Sequence, residues 1–225
     1  MNIAIPIFDG LTALDAVGPY EVLSRLPGAE VRFIAATAGP IRTETGMLGL
    51  IADASFEELV DPEVIVVPGG HATRRLMGDD HILDWLRRAH QTSVWTTSVC
   101  TGSLLLASAG ILEGLQATCH WRSLHILADY GGHPLSERVV EQGKVITAAG
   151  VSAGIDMALT LAARIADEQT AQAIQLSIEY DPQPPFDSGS PAKAPKEVLE
   201  RVKAAGARRE AAADAGSTRV DQASS

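Results

Sequence analysis

Apolar positions along the chain fall into short runs punctuated by turn residues. Residues 2–8 (NIAIPIF) form one such run, closed by Asp9-Gly10, and read as a buried strand. Residues 30–37 (EVRFIAAT) and 93–99 (SVWTTSV) read as further strands, the second rich in β-branched residues. Residues 63–68 (EVIVVP) are almost continuously apolar, as expected of a strand covered on both faces, and they lead directly into Gly69-Gly70. Between these runs the period changes. In 79–90, Ile82, Leu83, Trp85 and Leu86 share one face, with Asp79 and Asp80 at the start and Arg87 and Arg88 near the end, an arrangement suited to a helix and its dipole. A helix is predicted over 18–26, with Pro19 in its first turn, another over 101–109, and two over 152–180 divided near Asp167. Residues 41–52, broken at Gly46, predict a small hairpin, and 136–148 predict two extended pieces around Gln142-Gly143.

Strands alternating with helices predict an α/β fold with a mostly parallel sheet. Residues 181–192 (DPQPPFDSGSPA) read as an extended Pro-rich arm, 193–213 as a helix of modest amphipathicity, and 214–225 as a disordered tail in which Val220 is the only apolar residue larger than alanine. One domain over 1–192, arm included, is expected.

Composition narrows the partners. The 225 residues carry 18 Lys+Arg against 28 Asp+Glu, a formal net charge of −10, which argues against nucleic-acid or anionic-membrane partners. The stretch after the arm also looks too short and too poor in large apolar residues for an appended DNA-binding domain. Two cysteines, Cys100 and Cys119, are too few for a disulfide framework or a cysteine-based zinc site. The six histidines form no metal-binding spacing, so no metal is expected. Neither G-x-G-x-x-G nor G-K-[ST] occurs, so nothing points to a nucleotide cofactor. No apolar run reaches the roughly 18–20 residues of a membrane span, and the first ten residues lack a basic leader pattern. A cytoplasmic protein with reduced thiols is expected.

The candidate chemistry gathers in Ser98-Val99-Cys100-Thr101-Gly102-Ser103, which joins a predicted strand to a predicted helix without a loop. A side chain on such a turn stands at the carboxyl edge of the sheet, where open α/β sheets bind ligands. The following N–H groups and the helix terminus favour a thiolate there. Cys100 thus reads either as a nucleophile or as a small buried residue. Gly69 and Gly70 end a central strand and would let backbone N–H groups face a developing anion, or form an ordinary turn. Asp15, between the first strand and the first helix, reads as an N-cap or as a general acid/base. His120, beside Trp121, is a site residue or a hydrogen-bonded core histidine. Cys119 has no such turn around it and reads as structural.

These motifs together resemble the DJ-1/PfpI superfamily, whose members have a flavodoxin-like α/β/α sandwich with a cysteine nucleophile elbow. The resemblance is carried by Leu14-Asp15-x-x-Gly18-Pro19, Pro68-Gly69-Gly70, Thr97-Ser98-Val99-Cys100-Thr101-Gly102-Ser103, His120-Trp121 and Ala153-Gly154-Ile155-Asp156. It runs from residue 1 to about 195 and includes the arm Glu179-Tyr180-x-Pro182-x-Pro184-Pro185-Phe186-x-x-Gly189-Ser190-Pro191. The arm resembles most closely the branch that adds water to isonitriles, R–N≡C, and releases formamides without a cofactor. That likeness implies Cys100 as nucleophile, Asp15 as acid/base, Thr101 as their neighbour, a small-molecule isonitrile substrate and a homodimer. Thr101 stands where PfpI-type proteins have a histidine, and the chain has no His-x-Glu, so the PfpI and amidotransferase pairings are missing. A DJ-1-like redox sensor and glyoxalase-type hydration of a small aldehyde are the alternatives on the same cysteine.

Overall fold

The computed structural model describes residues 1–208; the end of the predicted last helix (209–213) and the predicted tail (214–225) lie outside the described residues. The elements in chain order are β1 (Asn2–Pro6), α1 (Ala13–Leu23), β2 (Glu30–Ala35), β3 (Gly39–Arg42), β4 (Gly49–Ala52), β5 (Ala54–Ser55), β6 (Val64–Val67), α2 (Thr73–Leu76), α3 (Asp80–Thr92), β7 (Trp95–Val99), α4 (Gly102–Ser108), β8 (Gln116–Ala117), a 3-10 segment (Leu124–Tyr130), β9 (His133–Pro134), β10 (Val139–Gln142), β11 (Val145–Ala148), α5 (Ala153–Ile165) and α6 (Glu168–Ser177). Residues Met1–Tyr180 form one compact unit; a second begins at Asp181 and contains a helix over 196–208.

In the first unit the main sheet has the strand order β10-β11-β7-β6-β1-β2-β5. Every pairing is parallel except β10 with β11, which turn back on each other at Gly143 (φ 61°). β6 and β11 are buried at every position, which explains the unbroken apolar run of β6; the one polar residue of β11, Thr147, is buried with its hydroxyl accepting from Thr118 N–H (2.9 Å). Helices α1, α5 and α6 pack together on one side; α4, with α2, α3 and the 3-10 segment, forms the other layer. This is a flavodoxin-like α/β/α sandwich. β3 and β4 pair as a separate antiparallel hairpin, tied to the segment after β1 by a bridge between Thr43 and Leu11.

The helices follow local rules. Asp79 caps α3 by accepting from His81 N–H (3.0 Å), and Asp167 caps α6 by accepting from Thr170 N–H (2.7 Å). The apolar face of α3 carries the fully buried Trp85, which stacks on Phe56 (centroids 5.2 Å) and donates its ring N–H to the Leu59 carbonyl (2.8 Å). α1 departs from expectation: it starts at Ala13, not near Gly18, so Pro19 lies inside the helix. The apolar period had hidden this because the first turn contains a buried acid. Gly18 and Pro19 are there for the crossing with α5. A Cβ on Gly18 would lie 3.2 Å from Ile155 Cγ1, and one on Gly154 would lie 3.3 Å from Pro19 Cγ. Close packing of the two helices offsets the backbone bond lost at the proline.

Candidate active site

β7 passes into α4 through a single sharp turn at Cys100, whose φ of 58° is left-handed. Such a conformation costs a non-glycine residue about 1–2 kcal/mol, so the surroundings must impose it. They do. The Cys100 N–H is held by the carbonyls of Ala148 (3.1 Å) and Ala149 (2.8 Å), and Ser103 Oγ donates to the Cys100 carbonyl (3.1 Å). At Gly102 any Cβ would drive into the carbonyl oxygens of Val67 and Pro68, so only glycine lets α4 start this close to β6. The cysteine side chain is 6% exposed.

Asp15 sits in the first turn of α1 and is wholly buried. It does not cap its helix; Thr12 holds the N-cap position. Its Oδ2 accepts from Gly69 N–H (2.9 Å), while its Oδ1 is buried with no hydrogen-bond partner among the described residues. A buried unpaired carboxyl oxygen is costly and calls for a functional explanation. Burial pushes the Asp15 carboxyl from 3.8 up to about 7, against the pull of Gly69 N–H and the Cys100 thiol, with a further upward push from the Glu44 charge.

The cysteine differs from expectation. Burial first, then the neighbouring Asp15 carboxylate and the Cys119 thiol group, hold the Cys100 thiol well above its usual value; the N–H groups of Thr101 and Val151 oppose this but do not prevail. A helix terminus alone suggested a thiolate, but desolvation beside a carboxyl outweighs it. The resting arrangement is therefore a thiol next to an acid poised near neutrality.

Gly69 and Gly70 position rather than stand open. Gly69 gives its N–H to Asp15, and Gly70 gives its N–H to Thr101 Oγ1 (3.0 Å), which in turn donates to the Gly70 carbonyl (3.2 Å). A Cβ at Gly69 would come within 2.5 Å of Thr101 N and 2.9 Å of Asp15 Oδ2. Of the two alternatives for these glycines, N–H groups facing a developing anion or an ordinary turn, the structure shows both N–H groups donated within the site, to Asp15 and to Thr101. The N–H groups of Thr101 and Val151 are the ones that face the Cys100 sulfur. His120 is half-buried against the turn before Val151, its Cδ2 being 3.1 Å from where a Gly150 Cβ would lie. Its Nδ1 accepts from Arg122 N–H (3.3 Å), and burial, then the Arg122 cation, lowers its proton affinity. Cys119 lies behind the elbow, buried, with its thiol hydrogen-bonded to Ser103 and pushed up to about 11.

Three further residues reach the site by routes that no local motif marks. Val151 reaches the sulfur through its backbone, which no side-chain motif reveals. Glu44 and His71 meet beside Thr12 through contacts between distant loops. Thr12 Oγ1 donates to Glu44 Oε2 (3.0 Å), and His71 Nε2 is 3.3 Å from the same oxygen. Among the described residues no cluster of three His, Cys, Asp or Glu is placed to hold a metal, and no helix is long and apolar enough to cross a membrane.

A flavodoxin-like sandwich with a strained cysteine at the end of a central strand, faced by a buried acid, defines a class of cysteine-elbow α/β proteins. The chain belongs to the DJ-1/PfpI family, which matches residues 1–164. It is 42% identical over 203 residues to the isonitrile hydratase of Pseudomonas putida, across 90% of this chain and 89% of that protein. It is 29% identical over 180 residues to the HTH-type transcriptional regulator CdhR of Pseudomonas aeruginosa, of which it spans only 52%. Among solved structures it is similar to a ThiJ/PfpI family protein from Pseudomonas syringae (TM-score 0.90, 36% identity, 95% of this chain and 89% of that one). Drosophila melanogaster DJ-1beta shares the fold (TM-score 0.73, 18% identity, 80% of this chain and 98% of that one).

Proposed function

We propose that the protein is an isonitrile hydratase, an enzyme that adds water to R–N≡C and releases the N-substituted formamide. The observation that carries the reading is the Asp15 carboxyl, buried, poised near pH 7 and with one oxygen unpartnered beside Cys100. A proton relay needs that combination, and the likeness to the Pseudomonas putida enzyme supplies the substrate class.

In the first step Asp15 takes the proton of the Cys100 thiol and passes it to the terminal isonitrile carbon. The sulfur bonds to that carbon, leaving the thioimidate R–N=CH–S–Cys100. Asp15, a carboxylate again, then accepts a proton from water as the oxygen attacks the same carbon. The nitrogen gains the proton, the C–S bond breaks, and R–NH–CHO leaves while Cys100 recovers its thiol. All atoms of R–N≡C and H2O are in the product, and no cofactor is consumed. The Thr101 hydroxyl, tied to Gly70, holds the elbow against the strand end that supports Asp15. A redox-sensor reading fits less well, since oxidation proceeds through the thiolate and here the thiol is favoured.

Incubation with cyclohexyl isocyanide tests the reading. Cyclohexylformamide should appear with the wild type and not with Cys100→Ser. No formamide from the wild type, or turnover of methylglyoxal in its place, would overturn it.

The same reading includes a homodimer to which the arm contributes. Phe186 is 78% exposed within the run Pro182–Pro191, a large apolar side chain on a segment that loses little entropy on ordering. A chain ending at Tyr180 should sediment as a monomer; a dimer that survives this truncation would remove the arm from the interface.

A further inference from the structure

The turn that follows β11 is gripped at both ends by one residue. Arg138, one position before β10, accepts from Ala149 N–H through its carbonyl (2.9 Å), which carries the β10–β11 ladder one bond further. Its guanidinium reaches the far end of the turn and donates to Ser152 Oγ (3.3 Å) and to the Asp156 carboxylate. Ser152 stands at the N-cap position of α5, yet its hydroxyl makes no capping bond to the helix and is taken up by Arg138 instead. Between these anchors lie the groups that touch the cysteine. The Ala149 carbonyl accepts Cys100 N–H (2.8 Å), and Val151 N–H faces the sulfur. A further anchor comes from the end of α6, where the Tyr180 hydroxyl donates to Asp156 Oδ1 (3.1 Å) while Arg138 holds Oδ2. Tyr180 is itself pinned: its N–H donates to the Gln175 carbonyl and its carbonyl accepts from Gln175 Nε2, both at 3.1 Å. Glu179, just before it, is left-handed (φ 51°). Among the described residues Cys100 and Glu179 are the two non-glycine residues with positive φ, and they stand at the two ends of this one line of bonds. Such conformations persist where the surroundings impose them.

We propose that Arg138 is a positioning residue for the nucleophile: with Asp156 and Tyr180 it clamps the 149–152 turn, so that the Ala149 carbonyl and the Val151 N–H hold Cys100 in its left-handed conformation. The effect on turnover rests on the hydratase reading, but the clamp itself belongs to the resting protein. The Arg138 side chain is 52% exposed and that of Asp156 31%, and an ion pair so open to solvent adds little to global stability. What it supplies is the place of the turn. The planar guanidinium serves Ser152 and Asp156 together, in a fixed fork. A lysine ammonium carries the same charge on a flexible stem and offers no such fork.

Three variants separate the clamp from charge and from general stability. Arg138→Gln keeps the backbone bond to Ala149 and removes the fork, Arg138→Lys keeps the charge without the fork, and Tyr180→Phe removes one donor to Asp156. Amide hydrogen exchange, resolved by residue in the substrate-free protein, reads the turn directly. In Arg138→Gln the Cys100 and Ala149 amides should exchange roughly ten-fold faster, while amides of β6 and α3 keep their wild-type rates, as local opening requires. Arg138→Lys should resemble Arg138→Gln, and Tyr180→Phe should show a smaller change in the same direction. With cyclohexyl isocyanide, kcat of Arg138→Gln should fall roughly ten-fold or more, as a displaced nucleophile implies, with KM within about two-fold. An unchanged Cys100 amide in Arg138→Gln overturns the inference. So does exchange that rises equally throughout the sheet, or full recovery of protection and kcat in Arg138→Lys. Should the wild type fail to hydrate isonitriles, the hydratase reading falls, and the exchange rates still decide whether Arg138 holds the cysteine turn.

Discussion

Replacing Asp15 by Asn should destroy turnover and at the same time make the protein more stable above pH 7. Asn is isosteric, its carbonyl can accept the Gly69 N–H that Oδ2 now accepts, and its amide cannot ionise. The carboxyl is lifted from 3.8 to about 7, chiefly by burial. A group whose native value is raised contributes its full stability below the unfolded value. That contribution is lost progressively as pH rises from about 4 to about 7, because the unfolded chain releases its proton first. About three units at about 1.4 kcal/mol each gives an upper figure of roughly 4 kcal/mol lost by the wild type above pH 7. The buried Asn amide beside a thiol returns part of that gap, about 1–2 kcal/mol. A net advantage of about 2–3 kcal/mol to Asn is expected at pH 8, or roughly 5–10 °C in Tm for a chain of this size. Near pH 4 the wild type should match or exceed the variant. Thermal unfolding of both proteins at pH 4, 6 and 8 reads the trend, and hydration of cyclohexyl isocyanide reads the loss of activity, about 10²–10⁴-fold. A stability difference that does not change with pH would refute the claim that burial raises the proton affinity of the Asp15 carboxyl to near neutrality.

Other outcomes follow from the same geometry. Cys100→Ser should fold normally and show no turnover, measured by formamide release. Cys119→Ser should retain activity within about two-fold and lose about 1 kcal/mol in urea unfolding, since the new hydroxyl can still pair with Ser103. Gly102→Ala should lower Tm sharply or prevent folding, by several kcal/mol, because its Cβ meets strand-end carbonyl oxygens rather than a yielding side chain. Thr101→Val should reduce kcat while leaving the main sheet intact, because it frees Gly70 from the elbow; circular dichroism and steady-state kinetics check the two halves.

Much of the main sheet was legible in the pattern of apolar runs. β6 is buried on both faces and is therefore unbroken in sequence, and α3 carries its period, cap and charges openly. The Gln142-Gly143 turn and the division at Asp167 were legible for local reasons, a left-handed glycine and a capping acid. The start of α1 was not, because its first turn buries an acid and its seventh residue is proline; both serve contacts with the elbow and α5 that only the tertiary structure shows. The cysteine turn was legible because a strand met a helix with no loop between. Its protonation was not, since burial and the neighbouring carboxyl come from elements far away in the chain. The same holds for Glu44 and His71, whose meeting depends on the bridges that tie both loops to Leu11.

The covalent step is the centre of the account, and intact-mass spectrometry of protein quenched in acid during turnover tests it most directly. With cyclohexyl isocyanide in excess, a species heavier by one isonitrile should accumulate, map to the peptide containing Cys100, and disappear as formamide is released. Formamide produced at full rate with Cys100 never modified, or by Cys100→Ser, would contradict it.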